Sequence, residues 1–92
     1  MAFIFDEHTA PDFEHGGLSI RFCMVNGDER ATCQIGCETL RELGPDEVET
    51  DQEWLDRFFL YRGPIVTAAA RLLARGAHKG GTVIQILRAN MA

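Results

Sequence analysis

Ninety-two residues with 46% hydrophobic content suffice for one small core and leave no room for a second. A net charge of −5 argues against general affinity for DNA or anionic membranes, and no apolar run approaches the ~20 residues that cross a bilayer. Cys23, Cys33 and Cys37 have no disulfide-scaffold spacing, and Asp6 and Glu7 follow Phe5 where a cationic leader would stand; both features predict reduced thiols in the cytoplasm.

In chain order, Phe3, Phe5 and Phe13 are apolar anchors in a polar segment, with a short edge strand at residues 2–5 and a turn at Gly16-Gly17. From Leu18 the pattern becomes period two: Leu18, Ile20, Phe22 and Met24 alternate with Ser19, Arg21, Cys23 and Val25. Asn26-Gly27 signals a two-residue hairpin loop, which would set Phe22 opposite Ala31, Ile20 opposite Cys33 and Leu18 opposite Ile35. A slip of one residue would bring Arg21 against Cys33, so the register reads as tightly specified. A short helix should follow Gly36, with Glu38 in its first turn, Leu40 and Leu43 inward, and Gly44-Pro45 ending it. Asp46 to Glu49 then form an acidic loop.

The dominant element is a long, bent amphipathic helix over residues 50–76. One apolar stripe runs Trp54, Phe58, Tyr61, Ile65, Ala68, Leu72; beside it lie Leu55, Phe59, Val66, Ala69 and Leu73. Thr50-Asp51-Gln52-Glu53 fits a capping box, in which hydroxyl and carboxylate satisfy each other's backbone N–H groups. Arg71, Arg75 and Gly76 fit a helix C-terminus. Gly63-Pro64 interrupts the helix; because both stripes stay in phase across it, a kink is expected rather than a break. After a turn-rich connector at Ala77 to Gly81, Thr82 to Leu87 reads as a third main strand. The elements predict an α+β fold of two layers: a mainly antiparallel sheet of three to four strands with helices on one face.

Ile20-x-Phe22, Gly27 in the turn, Cys33-x-Ile35 leading into Leu40, and Phe58, Arg62, Ile65 and Ala69 on the long helix resemble the bacterial domain-of-unknown-function family 1488, over roughly Leu18 to Leu87. The resemblance implies a small single-domain α+β protein and offers no activity, cofactor or catalytic residue to carry over. The chain departs from the family pattern at Gly36, where a Ser-type cap is usual, and at Pro64, inside an otherwise uninterrupted helix.

Charge is unevenly placed: residues 1–56 hold all fourteen acids and three basic residues, residues 57–92 six basic residues and no acid. Helix dipole complementation within the molecule explains this without a partner. Arg57, Arg71 and Arg75 share the edge of the polar face and likewise read as a solvated row rather than a phosphate contact. Arg62 falls inside the apolar sector, where a charge must be paired or must reach water along its stem; with Tyr61 it would make an anion site, but the favoured reading is a salt bridge to the acidic half of the chain or a local rotation at Pro64 that swings it outward. Cys37, at a helix start, is the candidate reactive thiol, whereas Cys33 points into the core. Neither the histidines with the cysteines nor Gly80-Gly81 has the spacing of a metal or phosphate site. Ser19, mid-strand, has no evident catalytic partner, so no enzyme, metal or cofactor is expected. Cys23, Val25, Val83 and Leu87 should leave an apolar patch on the sheet's second face. The expected function is therefore a protein-interaction or adaptor module, homodimerisation being one form of it; the alternative is an anion-binding domain centred on Arg62.

Overall fold

The computed structural model of the chain describes residues 2–14, 16–44, 47–76 and 81–91. Alternating apolar residues build its centre, β3 (Ser19–Asn26) and β4 (Glu29–Gly36), paired antiparallel. Ile20, Phe22 and Met24 of β3 and Ala31, Cys33 and Ile35 of β4 are all buried on one face. The register differs from expectation by two residues: Ile20 faces Ile35, Phe22 faces Cys33 and Met24 faces Ala31. The loop is Gly27-Asp28 rather than Asn26-Gly27. Gly27 has φ 62° and no described non-glycine residue has positive φ, so the loop has the φ signs of a type II′ turn, which needs glycine only at its first position. A two-residue shift keeps every apolar side chain on its own face, so hydrophobicity alone cannot choose between the two registers.

Two short strands share the free edge of β3: β1 (Ile4–Phe5) pairs with Val25 and Met24, and β2 (Asp12–Phe13) with Arg21 and Ile20. On the other side β5 (Ile84–Ile86) joins β4 in parallel. The sheet is thus five-stranded rather than three- to four-stranded, ordered β1-β3-β4-β5 with β2 also paired to β3, and mainly antiparallel with one parallel pair. The direction of β5 follows from its connection, because a helical crossover allows a parallel return that no hairpin could make. That crossover comprises α1 (Cys37–Glu42), α2 (Asp51–Leu60) and α3 (Arg62–Ala74), and a 3-10 turn at Arg88–Met91 closes the chain.

The expected long helix is two helices. Pro64 has no N–H to give the Leu60 carbonyl, and α2 ends at that residue. Tyr61, with φ −103° and ψ 18°, makes the junction, so Pro64 stands third in α3, where a missing donor costs little. Both stripes nonetheless join one core: Phe58, Ile65, Ala68, Ala69 and Leu73 are buried with the sheet, and Trp54, Leu55, Tyr61, Val66 and Leu72 pack against them. Phe59 is the exception and is exposed. Phe58 meets Phe22 at 5.2 Å and Phe5 at 6.3 Å between ring centroids, which ties the helical layer to two strands through aromatic contact.

The helix ends follow their capping residues. Thr50 Oγ1 accepts from the Glu53 N–H at 3.2 Å, and its hydroxyl donates to Glu53 Oε1 at 3.0 Å, so the carboxylate takes the hydroxyl instead of the Thr50 N–H that a full capping box would use. Gly76, with φ 80°, donates to the Leu73 carbonyl at the end of α3. The expected connector at residues 77–80, and Pro45 and Asp46 before the long helix, lie outside the described residues.

Candidate functional site

The junction at Tyr61 decides which cation is buried. Arg62, first residue of α3, is exposed, with its guanidinium carbon 5.4 Å from the Phe5 ring centroid, close enough for a cation–π contact. The expectation of a charge within the apolar sector belongs instead to Arg57, only 8% exposed. Its Nη1 donates to the carbonyls of Arg41 at 3.5 Å and Gly44 at 3.4 Å, where α1 ends, meeting the negative pole of that helix. The signal was present in the spacing: Arg57 stands three residues after Trp54 and directly before Phe58, on the face the stripe buries. Gly44 sits close against this pair, since a Cβ would lie 3.1 Å from the Tyr61 hydroxyl and 3.3 Å from Arg57 Cζ, and both side chains would have to give by a few tenths of an ångström. Tyr61 therefore directs its hydroxyl toward Arg57 and Gly44, and the structure does not bring it together with Arg62 as an anion-binding pair.

Arg62 instead borders a cleft of about 600 Å³ between β1 with the residues after it and the first turns of α3, lined by Ile4 to His8 on one side and Arg62, Gly63, Val66 and Thr67 on the other. Two features leave it open for binding. The Asp6 N–H donates to the Cys23 carbonyl, so by antiparallel alternation the N–H and C=O of Phe5 point away from β3; among the described residues no strand stands beyond β1. The first turn of α3 has neither a side-chain cap nor an acid, and among the described residues no carboxylate lies within ion-pair distance of Arg62.

Asp6 is already engaged. Only 6% exposed, its carboxylate accepts from the Thr9 hydroxyl at 2.7 Å and the His8 N–H at 3.0 Å, and Arg30 stands 3.1 Å away. The Thr9 and His8 hydrogen bonds, then the Arg30 charge, hold its pKa below the ordinary carboxylate range despite burial. This turn fixes the strand side of the cleft to β4 across β3.

Cys37 begins α1, but burial pushes its thiol pKa up, and the Arg41 charge offsets this only in part; a helix of six residues supplies too weak a dipole to reverse it. Desolvation therefore works against the activated thiolate expected at this position. Cys33, fully buried, is pushed up to about 12, by burial first and by Cys23 second. On the outer face of the sheet, Cys23, Val25 and Val83 are half-buried and Leu87 is 52% exposed. They are partly covered, as expected of this face, but a polar row divides them. Arg21 donates to Gln34 and Gln34 to Gln85, and this polar rung separates Leu87 from the other three.

A sequence profile described as "Protein of unknown function (DUF1488)" matches residues 4–84, from β1 to the first residue of β5. The chain belongs to the DUF1488 family. Among solved structures, a crystal structure of a DUF1488 protein of unknown function from Shewanella loihica PV-4 superposes with a TM-score of 0.80 at 23% identity, covering 94% of this chain and 92% of that one; it supports the fold. A search of curated proteins finds no match.

Two positions where this DUF1488 chain was expected to differ have local explanations. Gly36 caps α1 without a side-chain bond, while the Cys37 N–H, the first unpaired donor of that helix, goes to the Leu18 carbonyl. Pro64 is accommodated by the break at Tyr61. Among the described residues no group of three or more His, Cys, Asp or Glu could hold a metal ion; His15 and His78 lie outside them. Arg71 and Arg75 border a groove of about 190 Å³ with Ala89 and Asn90, near the end of α3, where they complement its dipole.

Proposed function

We propose that this DUF1488 protein is a cytoplasmic protein-interaction module, not an enzyme, whose docking site is the cleft between β1 and α3. The observation that carries this is the outward-facing backbone of Phe5 at an open sheet edge beside that cleft, the arrangement by which an extended segment adds a strand and places side chains in a groove. Ile4, 63% exposed, and half-buried Val66 offer apolar contact, and Arg62 offers a charge. The placement in the cytoplasm is supported by the three free cysteines; among the described residues no helix is long and apolar enough to cross a membrane. The anion-binding alternative has less support, because Tyr61 and Arg62 serve different surroundings.

Site-specific photo-crosslinking in living cells tests the docking site. A benzophenone side chain at Ile4 or Thr67, both bordering the cleft, should give discrete adducts, and one at exposed Glu38 on α1 should give none. Adducts from all three positions alike, or from neither cleft position, would overturn the proposal.

A further inference from the structure

Resting on the interaction role above, we propose that the segment docked in the cleft is β1 of a second copy of this chain, antiparallel to β1 about a two-fold axis at Phe5, with Glu7 of each copy paired to Arg62 of the other. The Phe5 N–H and C=O both face the open edge. In an antiparallel pair centred there, each Phe5 donates to and accepts from its counterpart, and the strands sit about 4.8 Å apart. No proline stands between residues 2 and 10 to block the edge.

Charge selects this occupant. The cleft carries Glu7 on its strand side and Arg62 on its helix side, and neither is in an ion pair among the described residues. A two-fold axis sets the strand side of one copy against the helix side of the other, so the interface holds two opposite-charge pairs and repeats them symmetrically. Asp6 cannot compete for Arg62, because Thr9, His8 and Arg30 already hold it. The segregation of all fourteen acids into residues 1–56 makes the same β1 segment suited to the acid-free end of α3 in a second molecule. On the outer face, the exposed Ile4 side chains become diagonal cross-strand neighbours about 7 Å apart, within mutual reach.

A two-residue strand makes a small interface, so the dimer is expected to be reversible, with a dissociation constant on the order of micromolar. Sedimentation equilibrium of the chain with no residual tag, from ~5 to ~500 μM, brackets that range. Glu7→Arg and Arg62→Glu should each weaken self-association at least ~10-fold by opposing like charges, and the double variant should return to within ~3-fold of the parent. Thermal melts confirm that each variant is folded, and Glu7→Gln with Arg62→Gln gives milder losses of the same kind. A parent monomer throughout the range, single variants that dimerise as the parent does, or a double variant that is not rescued would each overturn the proposal. A monomer that still yields position-4 adducts with a different protein removes the second copy and leaves the interaction role standing.

Discussion

Asp6, just beyond β1, and Arg57, within α2, illustrate how single side chains hold connections together. Asp6 gathers Thr9, the His8 N–H and Arg30 around one carboxylate, so the strand side of the cleft depends on its charge. Because hydrogen bonds hold its folded pKa below the ordinary value of 3.8, the ionised form stabilises the folded state. That contribution is fully present above about pH 5 and disappears as pH falls through the lowered folded value. Asp6→Asn should therefore melt below the parent by a constant margin above pH ~5, and the margin should shrink on acidification. Melting curves across that range check it; a margin that ignores pH, or widens in acid, contradicts the role. Arg57 does the corresponding work for α1, by carrying donors to carbonyls that the helix end leaves unpaired.

Among the elements, the junction between α2 and α3 has the largest consequences. A proline in the middle of one helix would cost about 3 kcal/mol, so replacing it would stabilise the protein by that amount. In the third position of a new helix it costs nothing comparable and restricts the unfolded chain. Pro64→Ala is thus expected to destabilise by about 0.4–1 kcal/mol. Urea denaturation at unchanged slope decides the sign, and a gain near 3 kcal/mol would mean that the two helices are one. The same junction turns Arg62 out to the cleft while Phe58 and Ile65 stay buried on either side of it, which is why an interruption of one residue leaves the stripe intact and changes the site.

At the scale of the whole molecule, one buried cluster joins three strands to three helices. Phe58 is its bridge, fully buried and in ring contact with Phe5 and Phe22. Phe58→Ala should cost about 3–5 kcal/mol, a large share of the 5–15 kcal/mol typical of a domain. The parent should unfold in a single transition seen alike by Trp54 fluorescence and far-UV circular dichroism. A loss under about 1 kcal/mol, or two separate transitions, would show that the layers are not coupled through this ring.

Much of this was legible in the residues alone. Period-two alternation from Ile20 to Met24, the 3.6-residue stripes beyond Thr50, and the caps at Thr50 and Gly76 are local or nearly local effects, and they determined the α+β class, the buried faces and the outer helix ends; Leu18, expected on the same buried face, precedes β3 and is 75% exposed. The alternation also limited the hairpin to registers of one parity. Choice within that parity depended on the turn, and the parallel entry of β5 depended on where the helical crossover released the chain. The exposure of Arg62 followed from the junction at Tyr61, and the cleft arose where β1 and α3, more than fifty residues apart in sequence, came side by side. Those features required the tertiary structure, because side-chain periodicity reports which face an element buries but carries no information about the partner or orientation it meets there.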